Sequence, residues 1–359
     1  MTPSLFDRIN GCLIGGAIGD AMGAPAEDWH FLDVRQHFGR VDRFLPQPAR
    51  KRDGQPGQIT DDTTLRQYMC LAIIRKGGRI TPDDYAAVWL SDLNPDRLFV
   101  TERIVLEKLR LGMNPWETGR GQPAADAAIM AVAPIGLINA GDPAQAYQDA
   151  VNISSVHQDG LERDAAGVVA AGVAAALMPD STTASVLTAM AAHGSFDTRR
   201  LLKIARDLAD ECGGVDRYTE TFYARHLDRS FPRPSDVVWD QDRTVSPTSR
   251  EVLPIVAGLF QLCDGDPAES IVAGASFGRD ADTIATVLGG LSGALRGAGA
   301  IPSDWIANSE AANRSFFAEM GDRSPPDFRA TAEAMHRVLK AQPARHTARA
   351  AALDAMLAA

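Results

Sequence analysis

Hydrophobic residues along the chain recur every three to four positions, in segments that are rich in alanine. This spacing places the apolar side chains on one face of an α-helix. Runs in which Val, Ile, Thr or aromatic residues alternate with polar ones, the pattern typical of strands, do not stand out. The pattern therefore predicts an all-α fold of many short helices packed closely through Ala and Gly. The predicted helices are 5–22, 62–75, 84–90, 101–111, 124–138, 165–177, 184–193, 199–212, 251–263, 268–277, 281–297, 305–320 and 327–340.

The residues between these segments are typical of turns, and no stretch divides the chain. Glycine, proline and aspartate cluster at 141–143 and 264–267, for example, where they end one helix and cap the next. We find no internal repeat and no long linker, so we predict a single domain over 1–340 and an alanine-rich helical tail over 341–359. The longest irregular stretch, 228–250, is either a surface excursion or a functional loop, in which Trp239 is a candidate for stacking on a base.

Composition and charge exclude several classes of protein. The 359 residues include 36 Lys and Arg against 46 Asp and Glu, a formal net charge of −10, which argues against nucleic-acid binding. The four cysteines are scattered, so neither a disulfide framework nor a thiolate zinc site is expected. The first residues lack the pattern of a signal peptide, and the apolar stretch 165–178 is too short to cross a membrane. We therefore expect a cytoplasmic protein without a membrane partner.

The first segment with candidate chemistry is 11–27, where glycines recur at every fourth position from Gly11 to Gly23. A stripe of glycines on one helix face allows another backbone to approach closely. Its spacing does not fit a dinucleotide-binding loop, which also needs a preceding strand. Asp20 interrupts the apolar face and is a candidate buried cap, while Glu27 follows Pro25, where the helix must have ended. A carboxylate at that point can project into a cleft.

Two further segments place acids and threonines at the start of apolar helices: Thr60-Asp61-Asp62-Thr63 and Asp280-Ala281-Asp282-Thr283. Helix capping explains part of each cluster, because acids and hydroxyls suit the positive end of a helix. Each cluster nevertheless carries more oxygen atoms than one cap requires. Hard oxygen ligands suit Mg²⁺, Mn²⁺ or Ca²⁺, and no neighbouring His or Cys suggests zinc. Brought together, the two clusters would form an oxygen-only site for one or two divalent cations.

With these three segments the chain resembles the ADP-ribosylglycohydrolase family. Residues 19–27 read as the family's G-D-A-x-G-x-P-x-E, 60–63 as its T-D-D-T, and 278–283 as its G-x-D-x-D-T. Between them, 130–136 is similar to its M-R-x-A-P-I-G, and 155–157 is similar to its T-H element. The resemblance runs from about residue 5 to residue 305, with the motifs in the family's order.

The resemblance implies a single orthogonal bundle of α-helices that holds two Mg²⁺ or Mn²⁺ ions. It also implies roles for residues at the matching positions. Glu27 falls where some members keep a mobile carboxylate beside the scissile bond, and His157 falls in a stretch that lines the substrate cleft. The expected metal ligands are Thr60, Asp61, Asp62, Asp280, Asp282 and Thr283; the expected catalytic residues are Glu27, Asp61 and Asp282; the expected substrate-binding residues are Asp20, Asp126, Ala127 and His157.

The implied function is metal-dependent hydrolysis of an N- or O-glycosidic bond to the ribose of an ADP-ribosyl group. The substrate would be an ADP-ribosylated protein or another ADP-ribose conjugate. One departure leaves an alternative open: the family's N-G-x-x-M-R reads Asp126-Ala127-Ala128-Ile129-Met130-Ala131 here, and an added carboxylate repels a diphosphate. The same chemistry on a smaller riboside or nucleotide is therefore the second hypothesis, and a non-catalytic relative is the third. Arg279 either neutralises the neighbouring acids or meets a substrate phosphate, and the oligomeric state stays open.

Overall fold

The described part of the chain consists of α-helices joined by turns, short 3₁₀ segments and loops, and it contains no strand. The computed structural model describes residues 2–47, 54–227 and 248–357, with the backbone alone for 343–357. The all-α prediction is thereby confirmed. The helices are α1 Leu5–Gly23, α2 Phe31–Phe38, α3 Asp61–Lys76, α4 Pro82–Asp92, α5 Val100–Arg110, α6 Ala127–Ala131, α7 Ala133–Ile138, α8 Pro143–Ile153, α9 Gly160–Ala176, α10 Thr183–His193, α11 Phe196–Cys212, α12 Val215–Phe222, α13 Ser249–Leu262, α14 Pro267–Phe277, α15 Ala281–Arg296, α16 Ser303–Ala312, α17 Arg314–Met320 and α18 Phe328–Leu357.

Side-chain oxygens cap the starts of many helices, and one such cap explains a helix that the hydrophobic pattern did not predict. Asp142 accepts a hydrogen bond of 3.0 Å from the backbone N–H of Gln145 and so begins α8. The Gly-Asp-Pro cluster at 141–143 was expected to end one helix and cap the next, and the helix that it caps is α8, in whose first turn Pro143 needs no N–H. Helices α2 and α12 were also missed, because each has only eight residues and carries several charges.

Two predicted helices are each broken into two. The segment 124–138 forms α6 and α7, because Pro134 supplies no N–H and crowds the preceding turn. The segment 305–320 forms α16 and α17, which meet at Asn313. The Asn313 amide group binds the backbone of Gly57, Ile59 and Ser309, and these bonds compete with a continuous helix.

Several predictions concern residues at the edge of the described ranges. Trp239 and most of the irregular segment 228–250 lie outside the described residues, and only its last three positions lie within them. Helix α18 continues to Leu357, into the predicted helical tail. Within the described ranges, the longest apolar helices fall short of what a bilayer crossing requires. The division at residue 340 stays a prediction.

The centre of the fold is a pair of helices, α1 and α15, whose backbones touch along their length. A Cβ atom added at Gly11, Gly15, Gly19 or Gly23 would lie within 3.0 Å of a backbone oxygen of α15. The oxygens that it would meet belong, in the same order, to Gly293, Gly289, Ala285 and Ala281. For each step of four residues along α1, the residue contacted in α15 lies four positions earlier in the chain. The two helices are therefore antiparallel. The close packing inferred from the glycine stripe is therefore found at all four positions.

The antiparallel pairing decides which ends meet. The C-terminal end of α1 lies beside the N-terminal end of α15, because Gly23 faces Ala281. Residues that are more than 250 positions apart in the chain, Glu27 and Asp280 among them, are thereby brought to the same end of the helix pair.

The backbone contact predicts opposite effects for two adjacent glycines of α15. Gly289→Ala would push a methyl group into the carbonyl oxygen of Gly15, and we expect it to lower the free energy of unfolding by about 1–3 kcal/mol or more. Gly290→Ala is the matched control, since its Cβ would meet only atoms 3.8 Å or more away. There the helix-favouring alanine should leave stability unchanged or raise it by up to about 1 kcal/mol. Urea unfolding of the two variants measures the difference, and equal losses of stability would contradict the packing described.

Candidate active site

The start of α3 is held in place by a carboxylate from α1. Asp20 is fully buried, and its oxygens accept hydrogen bonds from the backbone N–H of Thr60, at 3.0 and 3.1 Å, and of Thr63, at 3.0 Å. The Thr60 hydroxyl caps the same helix through the N–H of Asp62. Asp20 is therefore the buried cap of the first turn of α3, which carries Asp61 and Asp62. Its expected contact with substrate stays a prediction.

Two backbone hydrogen bonds join the loop after α1 to the loop before α15. The N–H of Asp28 donates to the carbonyl of Arg279 at 2.6 Å, and the N–H of Arg279 donates to the carbonyl of Trp29 at 2.7 Å. Asp28 and Arg279 both have positive φ angles, 68° and 59°, which are uncommon for residues other than glycine. Such conformations persist where the surrounding structure enforces them, and they cluster at functional sites. Glu27 precedes Asp28 in the chain, and Asp280 follows Arg279. The two hydrogen bonds therefore hold Glu27 and Asp280 near each other.

Three carboxylates meet at this connection. Glu27, Asp280 and Asp282 each offer an oxygen atom, and these atoms all lie within 4.8 Å of one another. Asp280 and Asp282 are buried, whereas Glu27 is partly exposed. Asp62 of α3 is also buried and lies close enough for Asp282 and Asp280 to perturb its titration. Three of the residues expected to bind metal, Asp62, Asp280 and Asp282, are thus brought together from the two acidic segments.

The charges in this cluster are poorly compensated. Burial, and then the charge of Asp282, raises the pKa of Asp62 well above its usual range. Burial raises the pKa of Asp20 to about 6, with a further contribution from Asp282. The buried atoms Asp62 Oδ1 and Asp280 Oδ2 receive no hydrogen bond from the described residues. Carboxylates that are buried, crowded and short of donors are the environment in which a bound cation is most favourable.

Arg279 adjoins the cluster, but its guanidinium has another partner. Its Nε and Nη2 atoms donate to the two oxygens of Glu251 at 2.7 and 2.8 Å, and both side chains are largely buried. This bidentate ion pair ties the loop before α15 to α13. The sequence did not suggest this pairing. Asp280 is a further electrostatic neighbour of Arg279, as expected if Arg279 neutralises the adjoining acids, and contact with a substrate phosphate stays a prediction.

His157 lies in an aromatic environment. Its ring stacks on Trp89 at 5.9 Å and meets the edge of Tyr85 at 6.1 Å. The ring is buried, and neither nitrogen has a hydrogen-bond partner among the described residues. Burial lowers the pKa of His157 to about 4, so the imidazole is neutral at physiological pH. Ala127, the first residue of α6, is buried as well.

Glu102 is a buried acid near the cluster that the sequence did not single out. It is 1% exposed in the first turn of α5, and one oxygen accepts a hydrogen bond of 2.8 Å from the Thr101 hydroxyl. Burial raises the pKa of Glu102 to about 7, and the charge of Asp61 adds to this shift. A glutamate in the first turn of a helix is ordinary in any sequence, so no local signal marks it as close to Asp61.

Comparison with known proteins identifies the family of the chain and several relatives. A family model described as ADP-ribosylglycohydrolase matches residues 1–345. The chain is 29% identical over 333 residues to the uncharacterised protein YegU of Escherichia coli K12, covering 87% of this chain and 94% of that protein. It is 25% identical over 339 residues to ADP-ribosylhydrolase ARH3 of Homo sapiens, covering 85% of this chain and 90% of that protein.

A solved structure shares the fold. It is titled "ADP-ribosylglycohydrolase-related protein complex", and it matches with a TM-score of 0.64 at 23% identity, covering 93% of this chain and 99% of that chain. Together with the family match, these relationships indicate an enzyme that hydrolyses glycosidic bonds. The match over 1–345 shows that the chain belongs to the ADP-ribosylglycohydrolase family.

Proposed function

We propose that this enzyme cleaves the glycosidic bond between the ribose of an ADP-ribosyl group and its acceptor, with the help of two divalent cations, Mg²⁺ or Mn²⁺. The observation that carries the proposal is the convergence of Glu27, Asp280 and Asp282 within 4.8 Å. Two segments that are more than 250 positions apart in the chain meet there, the residues after α1 and the start of α15. The match to the ADP-ribosylglycohydrolase family and the similarity to ADP-ribosylhydrolase ARH3 support the ADP-ribosyl substrate.

The residues present suit a hard divalent cation. The cluster offers oxygen atoms alone, it is rich in negative charge, and it includes buried oxygens on Asp62 and Asp280 that lack donors. The residues that would hold the cations are Thr60, Asp61, Asp62, Asp280, Asp282 and Thr283. When bound, such cations supply positive charge that orients the ribose hydroxyls and lowers the pKa of water.

Glu27 is the proposed general base. It belongs to the group of three carboxylates and is the one residue of the three that is partly exposed. In this role its carboxylate accepts a proton from the water that attacks the anomeric carbon, and it passes that proton to the acceptor, which leaves with the electron pair of the broken bond through an oxocarbenium-like transition state. Asp61 and Asp282 act by setting the charge and position of the centre, while Asp20 holds the start of α3. His157 contributes a neutral ring to the substrate cleft in this proposal.

A smaller riboside or nucleotide is the second candidate substrate. Asp126 favours it, because this buried carboxylate stands where the motif of the family has an asparagine. A panel assay separates the two candidates: ADP-ribosyl-arginine, an ADP-ribosyl-serine peptide and simple ribosides, each with Mn²⁺ or with EDTA. Metal-dependent release of ADP-ribose supports the first candidate, and turnover of ribosides alone supports the second. Absence of turnover on every member of the panel would contradict both.

Loss of one carboxylate should empty the metal centre. We expect Mn²⁺ at about 100 times its dissociation constant to stabilise the wild-type protein by about 2.7 kcal/mol. In Asp282→Asn this thermal stabilisation and the turnover should both be lost. Asp304→Asn, an exposed acid of α16, is the control and should respond to Mn²⁺ as the wild type does. Retained stabilisation and turnover in Asp282→Asn would contradict the assignment.

Glu27→Gln should separate proton transfer from metal binding. The amide cannot accept a proton from water, so we expect turnover to fall by about 100-fold or more. The stabilisation by Mn²⁺ should persist, because the other carboxylates remain. Steady-state kinetics and a thermal shift assay on the same preparation measure the two effects. If turnover is unchanged, Glu27 is not the base.

Because His157 is neutral in the folded protein, we expect the free energy of unfolding to depend on pH. Its pKa is about 4 in the folded protein and about 6.5 when unfolded, so the unfolded chain binds the extra proton between these values. Stability is therefore lost as the pH falls below about 6.5, by about 2 kcal/mol between pH 7.5 and pH 5. His157→Gln should remove this part of the pH dependence. Urea unfolding of both proteins at the two pH values tests it, and parallel pH profiles would show that His157 is not buried in the neutral form.

A further inference from the structure

Asp126 begins α6 without capping it. It occupies the N-cap position, yet its side chain makes no hydrogen bond to the helix, and only its backbone carbonyl takes part, through the N–H groups of Ile129 and Met130. Asp126 is nevertheless buried, with only 7% of the residue exposed. The usual structural reason for an aspartate at this position is therefore missing.

The Asp126 carboxyl group is directed to the carboxylate cluster instead. It lies within hydrogen-bonding distance of the carboxyl group of Asp280, and Asp62 is a further electrostatic neighbour. The atoms Asp126 Oδ2 and Asp280 Oδ2 are buried, and no donor among the described residues reaches either of them. Two buried carboxyl groups that face each other repel unless a proton or a cation lies between them.

Asp280 thus belongs to two sets of oxygen atoms. One is the group that it forms with Glu27 and Asp282, and the other is its pair with Asp126. We propose that Asp126 is a further carboxylate ligand of the divalent-cation centre and shares Asp280 with that group. This inference rests on the metal centre of the proposed function and changes the expected role of Asp126 from substrate contact to metal ligand.

Glu162 is a neighbouring buried acid that is not expected to bind metal. It is a further electrostatic neighbour of Asp126, it is 3% exposed, and its Oε2 accepts a hydrogen bond of 2.9 Å from the N–H of Ser249. A backbone donor therefore satisfies Glu162, whereas Asp126 Oδ2 has none among the described residues. Burial alone does not distinguish the two acids, but their partners do.

The inference also changes the argument about substrate. A carboxylate at residue 126 repels a diphosphate only while its charge is uncompensated. A cation bound between Asp126 and Asp280 would cancel much of that charge, so Asp126 would not by itself exclude an ADP-ribosyl substrate.

Calorimetric titration of Mn²⁺ into metal-stripped protein tests the proposal without relying on activity. Asp126→Asn keeps the shape of the side chain and removes its charge, and Asp126→Ser is a second variant in case the first does not fold. We expect at least one Mn²⁺ to bind about 10-fold more weakly, or more, in either variant. Glu162→Gln is the matched control and should bind Mn²⁺ as the wild type does.

The outcomes separate this inference from the function on which it rests. Weakened binding in the Asp126 variants, with wild-type affinity in Glu162→Gln, supports Asp126 as a ligand. Wild-type affinity in a folded Asp126 variant overturns the inference and leaves the metal centre intact. Equal weakening in Glu162→Gln also overturns it, because the effect would then be one of general charge. If the wild-type protein binds no Mn²⁺, the proposed metal centre itself is wrong.

Discussion

The backbone contact between α1 and α15 is the constraint on which the rest of the structure depends. Only glycine at these positions of α1 allows the two helices to approach so closely that an added Cβ would strike the opposite carbonyl, as at Gly19 and Gly23. The antiparallel register of this contact sets Glu27 beside Asp280 and Asp282. A larger residue in the stripe would separate the helices and the carboxylates together. The positions of the carboxylates in the site thus depend on small residues that carry no functional side chain.

The same packing concentrates negative charge where water is largely excluded. Asp20 illustrates how the fold accommodates it, because this carboxylate accepts hydrogen bonds from the backbone N–H groups of Thr60 and Thr63 and fixes the first turn of α3. Asp62, Asp126 and Asp280 each retain a buried oxygen that lacks a donor among the described residues. Unpaired buried acids are costly for stability, so a cation that binds them stabilises the fold and assembles the site in one step.

The sequence predicted the all-α class and the acid clusters, because both are local patterns. The helix caps at Thr60 and the glycine spacing in α1 are likewise visible in short segments. The features that the sequence did not indicate depend on contacts between segments that are distant in the chain. Glu102 resembles any first-turn glutamate until α5 is packed near Asp61, and Arg279 finds Glu251 on another helix. Asp126 was marked as a departure from the family motif, yet its pairing with Asp280 required the fold.

Titration of ADP-ribose into metal-loaded and metal-stripped protein tests the central claim most directly. The claim is that the carboxylates at the meeting point of α1, α3 and α15 form a metal-dependent ADP-ribosyl site. The account predicts micromolar or tighter binding with Mn²⁺ present and binding weaker by about 10-fold or more after treatment with EDTA. Equal affinity in the two states would contradict it, because the buried acids would then play no part in holding the ligand.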